Sequence, residues 1–283
     1  MEGRLIRMLA AAAALGAACL AAGCGGRTDV ARAVDAATRA EAEGIRQVML
    51  TVAEPDEAIA YFQARLSREP DALEDRRGLA RSLVRARRPL EAVEVWRAVV
   101  AAPGSGPEDR VELAGALVRT SDWAGARAAL DAVPPTHETY ERYRLEAIVA
   151  DSAQDWARAD SFYETAAGLT TTPAGVLNNW GYSKLTRGDA QAAERLFTEA
   201  ITYDPALFTA KNNLVLARAA RRDYTLPIVP MTQDERAQLL HTAGLAAVKQ
   251  GDTDVGRMLL QDAVDTSPRF FEDAVRALRA LDA

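Results

Sequence analysis

Two asparagine pairs carry the side chains best suited to binding a peptide. Asn178 and Asn179 form the first pair, and Asn212 and Asn213 repeat it 34 residues later. A carboxamide donates and accepts hydrogen bonds at once, so it can hold an extended backbone without reading the peptide's sequence. Tyr182 adds an apolar ring with a polar tip. The sequence predicts partner binding at these five residues, with solvated repeat side chains as the alternative.

Few other residues could do chemistry. Arg144 is a candidate anchor for a ligand carboxylate, or else a solvated helix residue. The only histidines are His137 and His241, and the only cysteines, Cys19 and Cys24, lie near the N-terminus. Phosphate-loop, nucleophile-elbow and zinc motifs are absent from the sequence. The sequence therefore predicts a protein that is not an enzyme, with no cofactor, metal or small-molecule substrate. A net charge of -6 without a basic stripe argues against nucleic acid.

The first 24 residues resemble the signal and lipobox of a bacterial lipoprotein. Arg4 and Arg7 precede an apolar run, which ends in the motif LAAGC at Cys24. This predicts a signal peptide over residues 1–23 and fatty acyl chains such as palmitate on Cys24. The alternatives are an ordinary secretory signal, a core helix, or lipidation at Cys19 instead.

The residues after Cys24 bear on location. Gly25 stands where aspartate often signals inner-membrane retention in lipoproteins. By resemblance to sorted lipoproteins, we expect a lipid anchor at the periplasmic face of the outer membrane. Each buried acyl methylene contributes about 0.8 kcal/mol, so a triacylated anchor is in effect permanent. Residues 24–38 are predicted to form a short lipidated tether.

The elements that must position the asparagines resemble a tetratricopeptide repeat. This motif has 34 residues in two antiparallel helices, A and B. When Ala174 is numbered 1, Gly181 falls at position 8, Phe197 at 24 and Pro205 at 32. Small residues let the two helices touch, the aromatic ring fills the space between them, and proline ends helix B. In such repeats A-helix positions 2, 5, 6, 9, 12 and 13 tend to face a groove.

The same frame runs through most of the chain and predicts an all-α fold. We expect a tetratricopeptide repeat (TPR) domain over residues 39–283, a right-handed superhelix (solenoid) of about six repeats with a C-terminal capping helix. The four tryptophans, Trp96, Trp123, Trp156 and Trp180, are expected to be packing residues. The predicted units lie near 39–72, 73–106, 107–139, 140–173, 174–207, 208–236 (partial, with a proline loop) and 237–270, with the cap at 271–283.

The pattern breaks in the partial sixth unit, at residues Asp223–Gln233 (DYTLPIVPMTQ). Pro227 and Pro230 forbid a regular helix where helix B should start. The segment is either a plain connector or a docking loop, since Ile228 and its apolar neighbours would be costly to leave bare. The sequence leaves both possibilities open.

The run from Phe208 to Asp252 resembles the tetratricopeptide lipoprotein of the Tad (Flp) pilus assembly system. The lipobox, the repeat array and the loop TLP-x-x-P-M-T carry this resemblance, and the loop is its specific part. The resemblance implies a protein-interaction scaffold that assists the outer-membrane secretin, in the manner of a pilotin, with the secretin or other Tad components as partners. The alternative is a repeat lipoprotein of outer-membrane β-barrel assembly or of another envelope complex.

Overall fold

The structure, a computed structural model, describes residues 26–282 of the chain. These residues form fourteen α-helices and no strands. Their bounds are α1 (Gly26–Thr51), α2 (Pro55–Leu66), α3 (Leu73–Arg85), α4 (Pro89–Ala101), α5 (Pro107–Arg119), α6 (Trp123–Asp131), α7 (Tyr140–Ser152), α8 (Trp156–Gly168), α9 (Ala174–Thr186), α10 (Ala190–Tyr203), α11 (Phe208–Ala219), α12 (Gln233–Lys249), α13 (Thr253–Thr266) and α14 (Glu272–Leu281).

Twelve of these helices pack as six A–B pairs: α1 with α2, α3 with α4, α5 with α6, α7 with α8, α9 with α10, and α12 with α13. Five successive A helices begin 34, 33, 34 and 34 residues apart, at Leu73, Pro107, Tyr140, Ala174 and Phe208. In the complete pairs, each B helix also packs on the next helix, and α14 closes the stack. The predicted all-α repeat solenoid is confirmed.

A residue with positive φ follows each A helix from α3 onward and, in the units that have a B helix, turns the chain into it. The residues are Arg87, Ser121, Gln154, Gly188, Arg222 and Gly251. In three units the next residue is an aspartate whose carboxylate accepts a hydrogen bond from a backbone N–H in the first turn of helix B. This N-cap satisfies one of the donors that a helix start leaves unpaired. The repeated turn therefore fixes the start of each B helix.

The two helices of the fifth unit are in close contact at Gly181. A Cβ atom at this residue would lie 2.7 Å from Cε1 of Phe197, which is fully buried in α10. The aromatic ring fills the space between α9 and α10 beside Leu177 and Ala193. Glycine is therefore the residue that lets this ring fit, as the repeat pattern predicts.

The sixth unit lacks its B helix. After α11, Arg222 has the same left-handed backbone as the other turns, with φ 61°. Asp223 follows at the N-cap position, but residues 224–232 form no helix. Pro227 and Pro230 have no backbone N–H to donate, and in a helix their rings would clash with the preceding turn.

The irregular segment 224–232 covers apolar surface on both of its sides. Val229 packs on the cluster around Phe197, and Met231 packs on the cluster formed mainly by α12 and α13. At its apex, the Ile228 side chain is fully exposed at 104%. Buried Lys211 donates hydrogen bonds to the carbonyl of Pro230 and to the carboxylate of Glu235, which ties the segment to α12.

Two boundaries differ from the sequence prediction. The segment predicted as a tether is helical from Gly26, because α1 runs unbroken to Thr51 through residues with high helix propensity. α12 begins at Gln233, four residues before the predicted seventh unit. Thr232 and Glu235 form a capping box there, in which each side chain accepts a hydrogen bond from the other's backbone N–H.

Candidate functional site

An open cavity of about 580 Å³ lies along α7, α9 and α11 and is called the groove cavity here. Four of the residues predicted to bind a partner line it: Asn178, Asn179, Tyr182 and Asn213. The first three lie on α9, where Tyr182 stands one helical turn after the adjacent Asn178 and Asn179, so they share one face of that helix. The structure therefore brings most of the predicted surface together.

The four lining residues have different surroundings. Asn213 is buried, and its amide donates a 3.0 Å hydrogen bond to Oδ1 of Asn178, which joins α11 to α9. Within residues 26–282, the Asn179 amide has no hydrogen-bond partner. The Tyr182 side chain is 55% exposed. Asn179 and Tyr182 are therefore the side chains available to a ligand, while Asn178 and Asn213 shape the cavity.

The opposite wall comes from the preceding units. Trp123 and Trp156 both line the groove cavity, and Trp123 is 38% exposed. Both tryptophans were expected to be packing residues, but part of the surface of each faces the groove cavity instead of packing in the core. Each is the first residue of a B helix, directly after an N-cap aspartate, and this position faces the end of the groove. Trp96, by contrast, is fully buried, as expected.

A carboxylate that the sequence prediction did not name also lines the groove cavity. Asp151 of α7 accepts a 2.7 Å hydrogen bond from the Ser183 hydroxyl and a 2.8 Å bond from the Tyr163 hydroxyl. Burial, together with the negative charge of Asp151, raises the pKa of Tyr163 and keeps its hydroxyl a donor. Asp151 stands at position 12 of its unit, one of the groove-facing positions, so the repeat frame carried the signal.

The remaining predicted site residues lie elsewhere. Asn212 accepts a 2.8 Å hydrogen bond from the Thr242 hydroxyl, which binds α11 to α12 outside the groove cavity. Arg144 donates two hydrogen bonds to Glu141, at 2.9 and 2.5 Å, and does not line the cavity. Its role as a carboxylate anchor therefore stays a prediction. Cys24 lies outside the described residues.

Comparison with known proteins supports the fold and no finer assignment. No family model and no curated protein matches the chain. A chain of the APC/C hetero-tetramer Cut9–Hcn1 is similar over 81% of this chain, with a TM-score of 0.58 and 12% identity, although the match covers 46% of that chain. A tetratricopeptide repeat protein from Parabacteroides merdae matches with a TM-score of 0.53 and 13% identity, over 81% of this chain and 93% of that protein. The chain has the tetratricopeptide-repeat fold.

Another similar structure is PilW, described as a widely conserved type IV pilus biogenesis factor. Its TM-score is 0.55 at 13% identity, and the match covers 81% of this chain and 91% of PilW. At such identity the likeness establishes the fold alone. The fold does not specify a function, which has to be argued from the side chains of the candidate site.

Two further features concern the part of the chain that the structure describes. No group of three or more His, Cys, Asp or Glu side chains within it is placed to hold a metal ion. None of its helices combines the length and apolar character needed to span a bilayer. What the groove cavity offers is an unpaired amide, exposed aromatic rings and a carboxylate, which together suit a peptide.

Proposed function

We propose that the groove cavity binds an extended segment of a partner protein. The observation that carries this proposal is the unpaired Asn179 amide beside the exposed Tyr182 ring in a cavity of about 580 Å³. The amide can donate to a backbone carbonyl and accept from a backbone N–H. Tyr182 provides a large contact area at a low cost in side-chain entropy.

We further propose that this scaffold acts in Tad (Flp) pilus assembly as an outer-membrane lipoprotein. The supporting features are the lipobox ending at Cys24 and the loop TLPIVPMT within residues 225–232, which resembles that of the Tad lipoprotein. The fold that the chain shares with a type IV pilus biogenesis factor adds to this support. In this role the lipid anchor holds the stack at the membrane, and the groove cavity holds a segment of the secretin or of another Tad component.

The first experiment replaces Cys24 with alanine in the host and measures heat-stable secretin multimers in isolated outer membranes. We expect the multimers to be lost or to move to the inner membrane, because the scaffold is no longer anchored beside its client. Persistence of the multimers with loss of pili would instead place the protein at a later assembly step. Unchanged multimers and unchanged pili would refute the role in pilus assembly.

A second pair of variants tests the groove while the anchor stays intact. Tyr182→Ala removes an aromatic side chain from the groove cavity, and Tyr203→Ala removes an equally exposed one, at 55%, from α10 outside it. We expect the first variant to reduce secretin multimers and the second to leave them at the wild-type level. Equal behaviour of the two variants would mean that the client binds another surface.

A further inference from the structure

Two carboxylates of the fourth unit, Asp151 at the groove cavity and Asp160 on α8, have different partners. Asp160 binds two cations, with Lys184 Nζ at 2.8 Å and the guanidinium of Arg187 in direct contact. Asp151 receives hydroxyl hydrogen bonds only, from Ser183 and Tyr163. Across residues 26–282, no Lys, Arg or His nitrogen forms an ion pair with Asp151. The fold therefore neutralises one carboxylate and leaves the charge of the other facing the groove cavity.

The hydroxyl donors leave Asp151 with capacity for another partner. Each carboxylate oxygen accepts one of these two hydrogen bonds, whereas an ionised carboxylate has about four acceptor positions. Both donors are themselves buried, so the carboxylate is held in one orientation at the wall of the cavity. A charge fixed in this way interacts with a ligand cation without first having to be ordered.

The aromatic side chains around Asp151 also favour a positive charge. The indole faces of tryptophan attract cations through the ring quadrupole. Trp156 already shows this preference, since the Arg187 guanidinium carbon lies 5.3 Å from its ring centroid. Trp123 lines the same cavity and makes no such contact with another described residue. A second cation entering the cavity would meet an aromatic surface as well as the carboxylate.

We propose that the groove cavity selects a peptide with a lysine or arginine side chain, which reaches Asp151 between the aromatic walls. This inference rests on the proposed peptide-binding function and names its specificity. The aliphatic stem of such a side chain fits beside Ile148 and Tyr182, while its charged head pairs with the carboxylate. An acidic side chain at the same place would be repelled by Asp151.

The test is selection of a random-peptide phage library on the immobilised full-length chain, with Asp151→Asn selected in parallel. We expect the wild-type selection to enrich lysine or arginine at one aligned position. The selection on Asp151→Asn should lose the basic preference at that position and keep any residue preferences at the other peptide positions. A peptide from the selection is then compared with its Lys→Gln form on the wild-type protein, which does not depend on how well the variant folds. The charged form should bind about tenfold more tightly or better, the size expected for one charge-assisted hydrogen bond.

Glu164→Gln is the matched control, because it removes one negative charge from an exposed position of α8 outside the groove cavity. It should leave the peptide preference unchanged. Enriched peptides without a basic position, or equal affinity of the Lys and Gln peptides, would overturn the inference while peptide binding by the groove stands. Failure to enrich any peptide would overturn both the inference and the proposed peptide binding.

Discussion

The contact between Gly181 and Phe197 predicts that one added methyl group destabilises the fifth unit. In Gly181→Ala the new Cβ would lie 2.7, 2.8 and 3.0 Å from three carbons of the Phe197 ring. Real Cβ atoms essentially never show contacts below 3.0 Å, so the ring or the helix must move. Phe197 is fully buried, and overpacking of this kind costs about 1–3 kcal/mol.

The same substitution also has a favourable component, which must be subtracted. Alanine is about 1 kcal/mol better than glycine in a helix interior. Gly175 lies in the first turn of α9, and a Cβ there meets nothing closer than the Tyr140 hydroxyl at 4.0 Å. Substitution of Gly175 therefore gains helix propensity without overpacking, although less than in the helix interior. We therefore expect Gly181→Ala to destabilise the protein by up to about 2 kcal/mol, which is the overpacking cost less the gain in helix propensity. Gly175→Ala should stabilise the protein by at most about 1 kcal/mol.

The assay is urea unfolding followed by far-UV circular dichroism. A double variant makes the cause specific: with Phe197→Leu in place, the added methyl at Gly181 should cost nothing. The third unit already uses this combination, with Ala114 and Leu130 at the same repeat positions, both buried. If Gly181→Ala stabilised the protein as much as Gly175→Ala does, the ring would be free to move, and the close-approach argument would be refuted.

Two further predictions concern buried charge. Arg77→Met removes the guanidinium that donates to the Asp109 carboxylate at 2.6 and 2.7 Å. Because Asp109 is 2% exposed, urea unfolding should show a decrease of about 2–3 kcal/mol in the free energy of unfolding. Glu112→Gln removes a charge from the more exposed pair with Arg81 and should cost less than about 1 kcal/mol. Burial beside Phe271 lowers the pKa of His241. As the pH drops below about 6.5, His241 takes up a proton in the unfolded chain more readily than in the folded protein, so the free energy of unfolding decreases as the pH is lowered. In the same assay, the free energy of unfolding of His241→Gln should decrease less between about pH 7.5 and pH 5.5 than that of the wild type.

The repeat frame could be predicted from the sequence because it rests on local signals. Glycine or alanine at position 8, an aromatic or leucine at position 24 and a turn at position 15 recur at nearly constant spacing. The extent of α1 could not be predicted in this way, because a Gly-Gly start suggested a tether while the following Ala, Arg and Glu residues favour a helix.

The candidate site was predictable in part. Asn179 and Tyr182 follow from their repeat positions, since the groove-facing rule depends only on helix geometry. Asn212 and Arg144 obey the same kind of rule but are engaged by Thr242 and Glu141. Such pairings depend on neighbouring side chains that the repeat frame does not specify. Asp151 was missed for the converse reason: its groove-facing position was visible in the repeat frame, but the lack of an ion-pair partner within residues 26–282 depends on neighbouring side chains.

The missing B helix of the sixth unit has a mechanical consequence. In a stack each unit contacts only its neighbours, so a load applied to the two ends passes through every junction in series. Between α11 and α12 the chain runs through residues 220–232, which have no helical hydrogen-bond ladder to resist extension. Full extension requires the Lys211–Glu235 and Arg222–Asp252 ion pairs, the Tyr224–Asp252 hydrogen bond and the direct contacts between α11 and α12 to give way. These thirteen residues can then span at most about 45 Å. The protein therefore contains an extensible link, and the first five units can keep their fold while the last pair moves away under tension.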